Sequence, residues 1–154
     1  MNLVDEKGNT GLMLDDLKIG QTFLSGTHQL DEAQIVAFAR DFDPQPFHTD
    51  PVSAKDTFFG GLAASGWHTA SISMKLLVSS ANISGGLIGA GAEITWPRPT
   101  RANDVLQVET EITEIKLSRS RPDRGIVTIR SITKNQNNET LQIMISRLVV
   151  PKRK

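Results

Sequence analysis

Polar and apolar positions change their period near residue 87: helical spacing precedes it and alternation follows it. Asp31 reads as a helix N-cap with Gln34 three residues on. Ile35, Phe38, Ala39 and Phe42 then fall at i, i+3, i+4 and i+7, the stripe of an amphipathic helix. The ring of Pro44 disfavours helical geometry at Asp43, and Pro46 keeps the next stretch irregular, so residues 43–49 are expected to form a rigid loop. Asp50 and Pro51 then read as the N-cap and first position of a short helix reaching about residue 57, which Gly60 and Gly61 end. A second long helix is expected over residues 64–80, with Trp67, Ala70, Met74, Leu77, Val78 and Ala81 near one apolar stripe. After Gly85 and Gly86, alternation predicts strands over 89–96, 105–115, 126–133 and 141–149, with a weaker one near 21–26. The second sets Leu106, Val108, Thr110 and Ile112 against Gln107, Glu109, Glu111 and Thr113; the last places Leu141, Ile143 and Ile145 on one face. Helices followed by meandering strands predict an α+β domain whose sheet buries its apolar face on the long helix. One helical layer leaves an edge or face of the sheet uncovered, so self-association is expected.

The chain has 154 residues, enough for one core, and no linker or repeat divides it. Residues 1–13 read as a loose arm, 14–150 as a single domain and 151–154 as a basic tail. Lys plus Arg equals Asp plus Glu at 17 each, so no overall field draws the protein to nucleic acid or to an anionic membrane. Neither a membrane span nor the apolar stretch of a signal peptide stands in the sequence, which predicts a cytoplasmic protein. Without cysteine there is no disulfide framework, thiol nucleophile or thiolate zinc site. His28, His48 and His68 remain for acid–base work, and their spacing does not suggest metal ligation. Gly85, Gly86, Gly89 and Gly91 precede a strand and lack a following Gly-Lys-Ser/Thr, so they are not read as a phosphate loop. Arg98, Arg101, Arg119, Arg121 and Arg124 are either solvated loop residues or contacts for a substrate's phosphates.

The stretch most suited to chemistry is 38–66, FARDFDPQPFHTDPVSAKDTFFGGLAASG, where Asp43 and His48 stand five residues apart on a proline-stiffened loop. A carboxylate and an imidazole sharing one water can act as base and proton donor. The helix start Ala63, Ala64, Ser65, Gly66 offers backbone amides to a developing oxyanion. Each feature also has a structural reading: Asp before Pro closes turns, a loop His is often only hydrogen-bonded, and small residues suit tight packing.

The stretch resembles the MaoC-like hydratases, whose signature is Asp-x-Asn-Pro-aliphatic-His followed by a His-Gly or similar pair at the next long helix. Asp43, Pro44, Gln45, Pro46, Phe47 and His48 align with it without a gap. His48-Thr49-Asp50-Pro51, Ala54, Phe59-Gly60-Gly61 and Gly66 continue it, as do Thr95-Trp96-Pro97-Arg98-Pro99 and Asn103-Asp104, covering most of 14–150. The resemblance implies the hot-dog fold, an antiparallel sheet wrapped around a long central helix, in a homodimer or higher homo-oligomer. It implies Asp43 and His48 as the catalytic pair and Gly66 as the amide on the thioester oxygen. The activity implied is interconversion of enoyl-CoA and (R)-3-hydroxyacyl-CoA, with no metal or redox cofactor and with coenzyme A only as part of the substrate. Gln45 stands where the family has Asn, Phe47 where it has a small aliphatic residue, and Ser65 where many relatives have His. Gln45, Phe47, Ser65, Trp67 and Met74 are the candidate substrate-binding residues, although apolar side chains at such spacing also suit a plain core. The rival readings are a hot-dog acyl-CoA thioesterase and a catalytically silent acyl-thioester-binding partner subunit.

Overall fold

The structure, a computed structural model, describes residues 11–154. Its main elements are β1 (Thr22–Gln29), α1 (Glu32–Phe42), α2 (Pro46–Thr49), α3 (Gly66–Ser80), β2 (Ile88–Thr95), β3 (Val105–Leu117), β4 (Arg124–Lys134) and β5 (Thr140–Pro151). The strands form one antiparallel sheet in the order β1-β3-β4-β5-β2, and α3 packs across its inner face. This is the expected α+β arrangement of a curved sheet around a long helix, and β1 joins it as a full edge strand. The sequence signal for β1 is weak because seven of its eight residues are at least partly exposed and so carry little alternation.

Asp31 caps α1 as expected, its Oδ1 accepting from the Gln34 amide at 2.8 Å. Ile35 and Ala39 are fully buried, Phe38 is half-buried and Phe42 lies outside. The turn after Asp43 is more ordered than a loop. With Pro46 in first position, where a missing N–H costs nothing, residues Pro46–Thr49 wind into α2. The short helix expected after Asp50 is a 3-10 turn at Ser53–Asp56. Of the arm expected over 1–13, residues 1–10 lie outside the described residues. Residues 11–13 are tethered: Leu12 bridges to Ile83, its amide donates to Asn82 O at 2.7 Å, and Met13 is buried.

Two expectations about facing are corrected. The buried face of α3 is His68, Thr69, Ile72, Ser73, Leu76 and Leu77, whereas Trp67, Met74 and Val78 are 60%, 43% and 51% exposed. Hydroxyl groups make this possible: Ser73 Oγ donates to Thr69 O (2.7 Å) and meets Thr133 Oγ1 (2.6 Å), and Thr69 Oγ1 donates to Thr100 Oγ1 (3.0 Å). Satisfied in this way, they are buried at little cost, so half of the inner stripe is polar. On β5 the inward face is Gln142, Met144, Ser146, Leu148 and Val150, with Ile143 and Ile145 turned outward. A register shift opposite Thr133 and Lys134 inserts Leu141, and an inserted residue reverses the alternation beyond it.

The core has two parts. One gathers Leu14, Leu17, Leu77, Ile112, Val127, Ile129, Met144, Leu148 and Val150. The other, made of Leu30, Ile35, Ala64, Ile72, Leu76, Leu106, Val108 and Leu141, joins α1 and the start of α3 to the sheet. That second part fixes the two helix ends between which the candidate chemistry lies.

Candidate active site

Asp43 is the C-cap of α1, its amide donating to Ala39 O at 2.8 Å, and it leaves helical geometry at φ −152°, ψ 69°. The backbone then turns at once into α2, where Gln45 O accepts from the His48 and Thr49 amides at 2.9 and 3.1 Å. The turn brings His48 Nε2 to 3.4 Å from Asp43 Oδ2, with the imidazole 6% and the carboxylate 18% exposed.

His48 is held from behind. Its Nδ1 donates to Ala63 O at 2.6 Å, and the Ala63 amide donates to Phe47 O at 3.0 Å, so two reciprocal bonds fasten α2 to the segment entering α3. With Nδ1 donating to a carbonyl, the neutral ring presents the lone pair of Nε2 to Asp43, and only the imidazolium donates from Nε2. Phe47 meets the His48 ring edge-on, with centroids 4.5 Å apart, and leans on Phe59 at 5.0 Å. It supports the imidazole.

Asp43 accepts from two neutral donors: Ser65 Oγ at 2.7 Å on Oδ2, and Gln45 Nε2 on Oδ1. Partial burial pushes the Asp43 pKa up, but the Ser65 and Gln45 bonds and the nearby His48 outweigh it and hold the carboxyl below its ordinary value. The longer amide of Gln45, relative to Asn, folds back onto the carboxylate; as N-cap of α2 its side chain makes no capping bond. Ser65 is the N-cap of α3, where its Oγ also accepts from the Trp67 amide at 3.3 Å. One hydroxyl thus ties the helix start to the carboxylate. The next amide, that of Gly66, meets no acceptor among the described residues and stands at the positive end of a 15-residue helix.

Asp43, Gln45, His48, Ser65 and Gly66 therefore converge, with Phe47 behind them. Trp67 and Met74 lie on the outer face of α3; Trp67 touches the Trp96 ring edge-on at 5.6 Å, and Met74 is about two turns farther along. Two contributors have no local signal in the sequence. Ala63 enters through its backbone alone. Arg101 donates from Nη1 to Gly61 O (3.1 Å) and Leu62 O (3.2 Å) and from Nη2 to Phe59 O (2.6 Å), pinning the segment that leads to Ala63. Ser65, read from the sequence as part of the helix start and as a candidate substrate-binding residue, is instead the N-cap of α3, and no local pattern announces its bond to Asp43. Arg98 pairs with Glu139 at 2.7 Å and Arg124 with Asp123 at 3.1 Å. The described residues hold no cluster of three or more His, Asp or Glu placed to ligate a metal. No helix among them is long and apolar enough to cross a membrane.

Comparison with known proteins bears on the fold as a whole. The sequence model described as "MaoC like domain" matches residues 16–135. An uncharacterized protein of Bacillus subtilis (strain 168), YdeM, is 33% identical over 128 residues, covering 81% of this chain and 89% of that protein. The crystal structure of a MaoC-like dehydratase from Rhodospirillum rubrum superposes with a TM-score of 0.91 at 52% identity, covering 94% of this chain and 99% of the other. An (R)-hydratase from A. caviae involved in PHA biosynthesis superposes with a TM-score of 0.71 at 25% identity, covering 88% of this chain and 98% of the other.

Proposed function

The chain belongs to the MaoC-like family, and on that premise we propose that it interconverts enoyl-CoA and (R)-3-hydroxyacyl-CoA by adding or removing water at Asp43 and His48. The observation that carries this reading is the Asp43–His48 contact of 3.4 Å beside the unpaired Gly66 amide. In hydration, a water between the two side chains gives a proton to Asp43 as its oxygen bonds to the β-carbon and the C=C electrons move toward the thioester. The oxygen of the resulting enolate is held by the Gly66 N–H. His48, as imidazolium with Nδ1–H still on Ala63 O, delivers its Nε2 proton to the α-carbon, and the proton on Asp43 then restores the imidazolium. Dehydration is the same path reversed. Asp43, held ionised by Ser65 and Gln45, suits the role of base. Coenzyme A enters as part of the substrate, and the steps call on no metal or redox cofactor. A cytoplasmic setting is part of this proposal. The R configuration follows the likeness to the A. caviae (R)-hydratase. Self-association into a homodimer or higher homo-oligomer is supported by the open edge of β2, the exposed Ile88 and the outward stripe of Trp67, Met74 and Val78.

The test is the loss of enoyl-thioester absorbance on crotonyl-, medium-chain and branched enoyl-CoAs. Asp43→Asn and His48→Ala, each still folded, should lower the rate by about 10²–10⁴-fold. A folded wild type that hydrates none of them would sink the proposal. Thiol release in its place would point to a thioesterase, and binding without turnover to a silent acyl-binding subunit.

A further inference from the structure

The Gly66 amide has a close neighbour whose place in the reaction the Asp43–His48 pair does not account for. A Cβ built on Gly66 would lie 2.7, 2.8 and 2.9 Å from three carbons of the Trp96 indole. Position 66 is glycine because an aromatic ring lies flat against its Cα, one bond from the unpaired amide nitrogen. The ring is fastened on two further sides. Its Nε1 donates to Gln142 Oε1 at 3.0 Å, and Gln142 is fully buried on the inner face of β5. Its outer edge meets Trp67 in a T-shaped contact at 5.6 Å, 82° between planes. An indole pinned by a buried amide, a backbone and a second ring is a preformed wall rather than an adaptable side chain.

The orientation of this wall tells which half of a thioester meets it. The Nε1 end points to the inner face of the sheet at the buried Gln142, while Trp96 as a residue is 42% exposed. With the thioester oxygen on the Gly66 amide, the acyl group takes the direction away from solvent, while the polar pantetheine and phosphates stay toward it. We propose that Trp96 is the specificity-determining residue for the acyl group: its indole closes the subsite beside Gly66 and selects short chains over medium ones. This rests on the hydratase reading. It adds a size limit to that reading, set by one residue 30 positions away in sequence, and names Gln142 as the residue that positions the wall.

The deciding experiment compares kcat/KM for C4 and C8 enoyl-CoA in full-length wild type, Trp96→Phe and Trp96→Leu. Wild type and Trp96→Phe, which keeps a ring on Gly66, should favour C4. Trp96→Leu should raise the C8 to C4 ratio by tenfold or more, since several methylenes gain room and each is worth about tenfold or more. A folded Trp96→Leu with the wild-type ratio overturns the proposal. A second measurement does not depend on turnover. The chain has two tryptophans and no tyrosine, so Trp67→Phe leaves Trp96 as the sole emitter of intrinsic tryptophan fluorescence. Saturating butyryl-CoA should shift its emission, and butyryl-CoA that binds by calorimetry without shifting it overturns the wall. A wild type that shows the shift yet hydrates nothing would overturn the hydratase reading while supporting the acyl wall.

Discussion

At the scale of single residues, the site depends on hydrogen bonds that hold a carboxylate ionised and a histidine ring in one orientation. Ser65→Ala removes one charge-assisted bond from Asp43, typically worth about 1.5–3 kcal/mol. The expected result is a kcat about 10–100-fold lower, with the acid limb of the pH–rate profile moved to higher pH as the Asp43 pKa rises. An unmoved limb would mean that Ser65 does not hold the carboxylate. His68 gives a second prediction, about stability. It lies under Phe38, ring centroids 4.4 Å apart and planes at 3°, with Nδ1 buried and unpartnered. Burial, aided by nearby His28, pushes its pKa down from 6.5 to about 4. Between those values the unfolded chain takes up a proton that the folded chain refuses. Stability should therefore be full above about pH 6.5 and fall as pH drops toward 4. Asp43, with its folded pKa lowered, acts in a different window, losing its contribution only as pH falls below the ordinary aspartate value of about 3.9. Thermal melts from pH 7 to 4 should show the His68 decline, and His68→Gln should flatten it.

At the scale of elements, α1, α2 and the start of α3 are separate pieces held in register by long-range bonds. Local signals placed the end of α1 at Asp43 and the start of α3 within two residues, because prolines and an N-cap act on their own neighbours. The joining bonds have sequence separations of 15 to 42 residues, as in His48–Ala63, Ser65–Asp43 and Arg101–Phe59, and no local pattern announces them. Arg101→Ala frees three carbonyls of the 59–62 segment at once. It should cost about 2 kcal/mol, hence roughly 4–8 °C in Tm for a chain of this size, and should speed amide exchange at Ala63. Arg101→Lys should recover little, since one ammonium does not reproduce the planar fork. Full recovery by lysine would reduce the arginine to a charge.

At the scale of the whole molecule, the apolar stripe read from α3 divides: Leu77 and Ala81 join the core, while Trp67, Met74 and Val78 face outward. Trp67, Met74 and Val78 lie along one exposed line of α3, and β2 is an unpaired edge of the sheet with Ile88 in the open. A second copy covering this surface would explain why α3 carries apolar residues on two sides. In the homo-oligomer proposed above, the paired substitution Met74→Glu and Val78→Glu should give single chains, read as a drop in sedimentation mass to that of one chain. An unchanged mass with intact folding would place the interface elsewhere.

The sequence by itself determined the change from helices to meandering strands, the capped α1 ending at Asp43, the inner face of β3 and the nearness of Asp43 to His48. All of these rest on periods, caps and prolines, which act over a few residues. Only the tertiary structure decided which side of α3 is buried, how β5 reverses its faces past Leu141, and why Gly66 is glycine. The reason is common to all three. Hydrophobic periodicity reports how much apolar surface a segment owns, whereas burial depends on what waits across the gap. Thr69 and Ser73 go inside because hydroxyls of Thr100 and Thr133 receive them, and Gly66 keeps no side chain because Trp96 already fills that space.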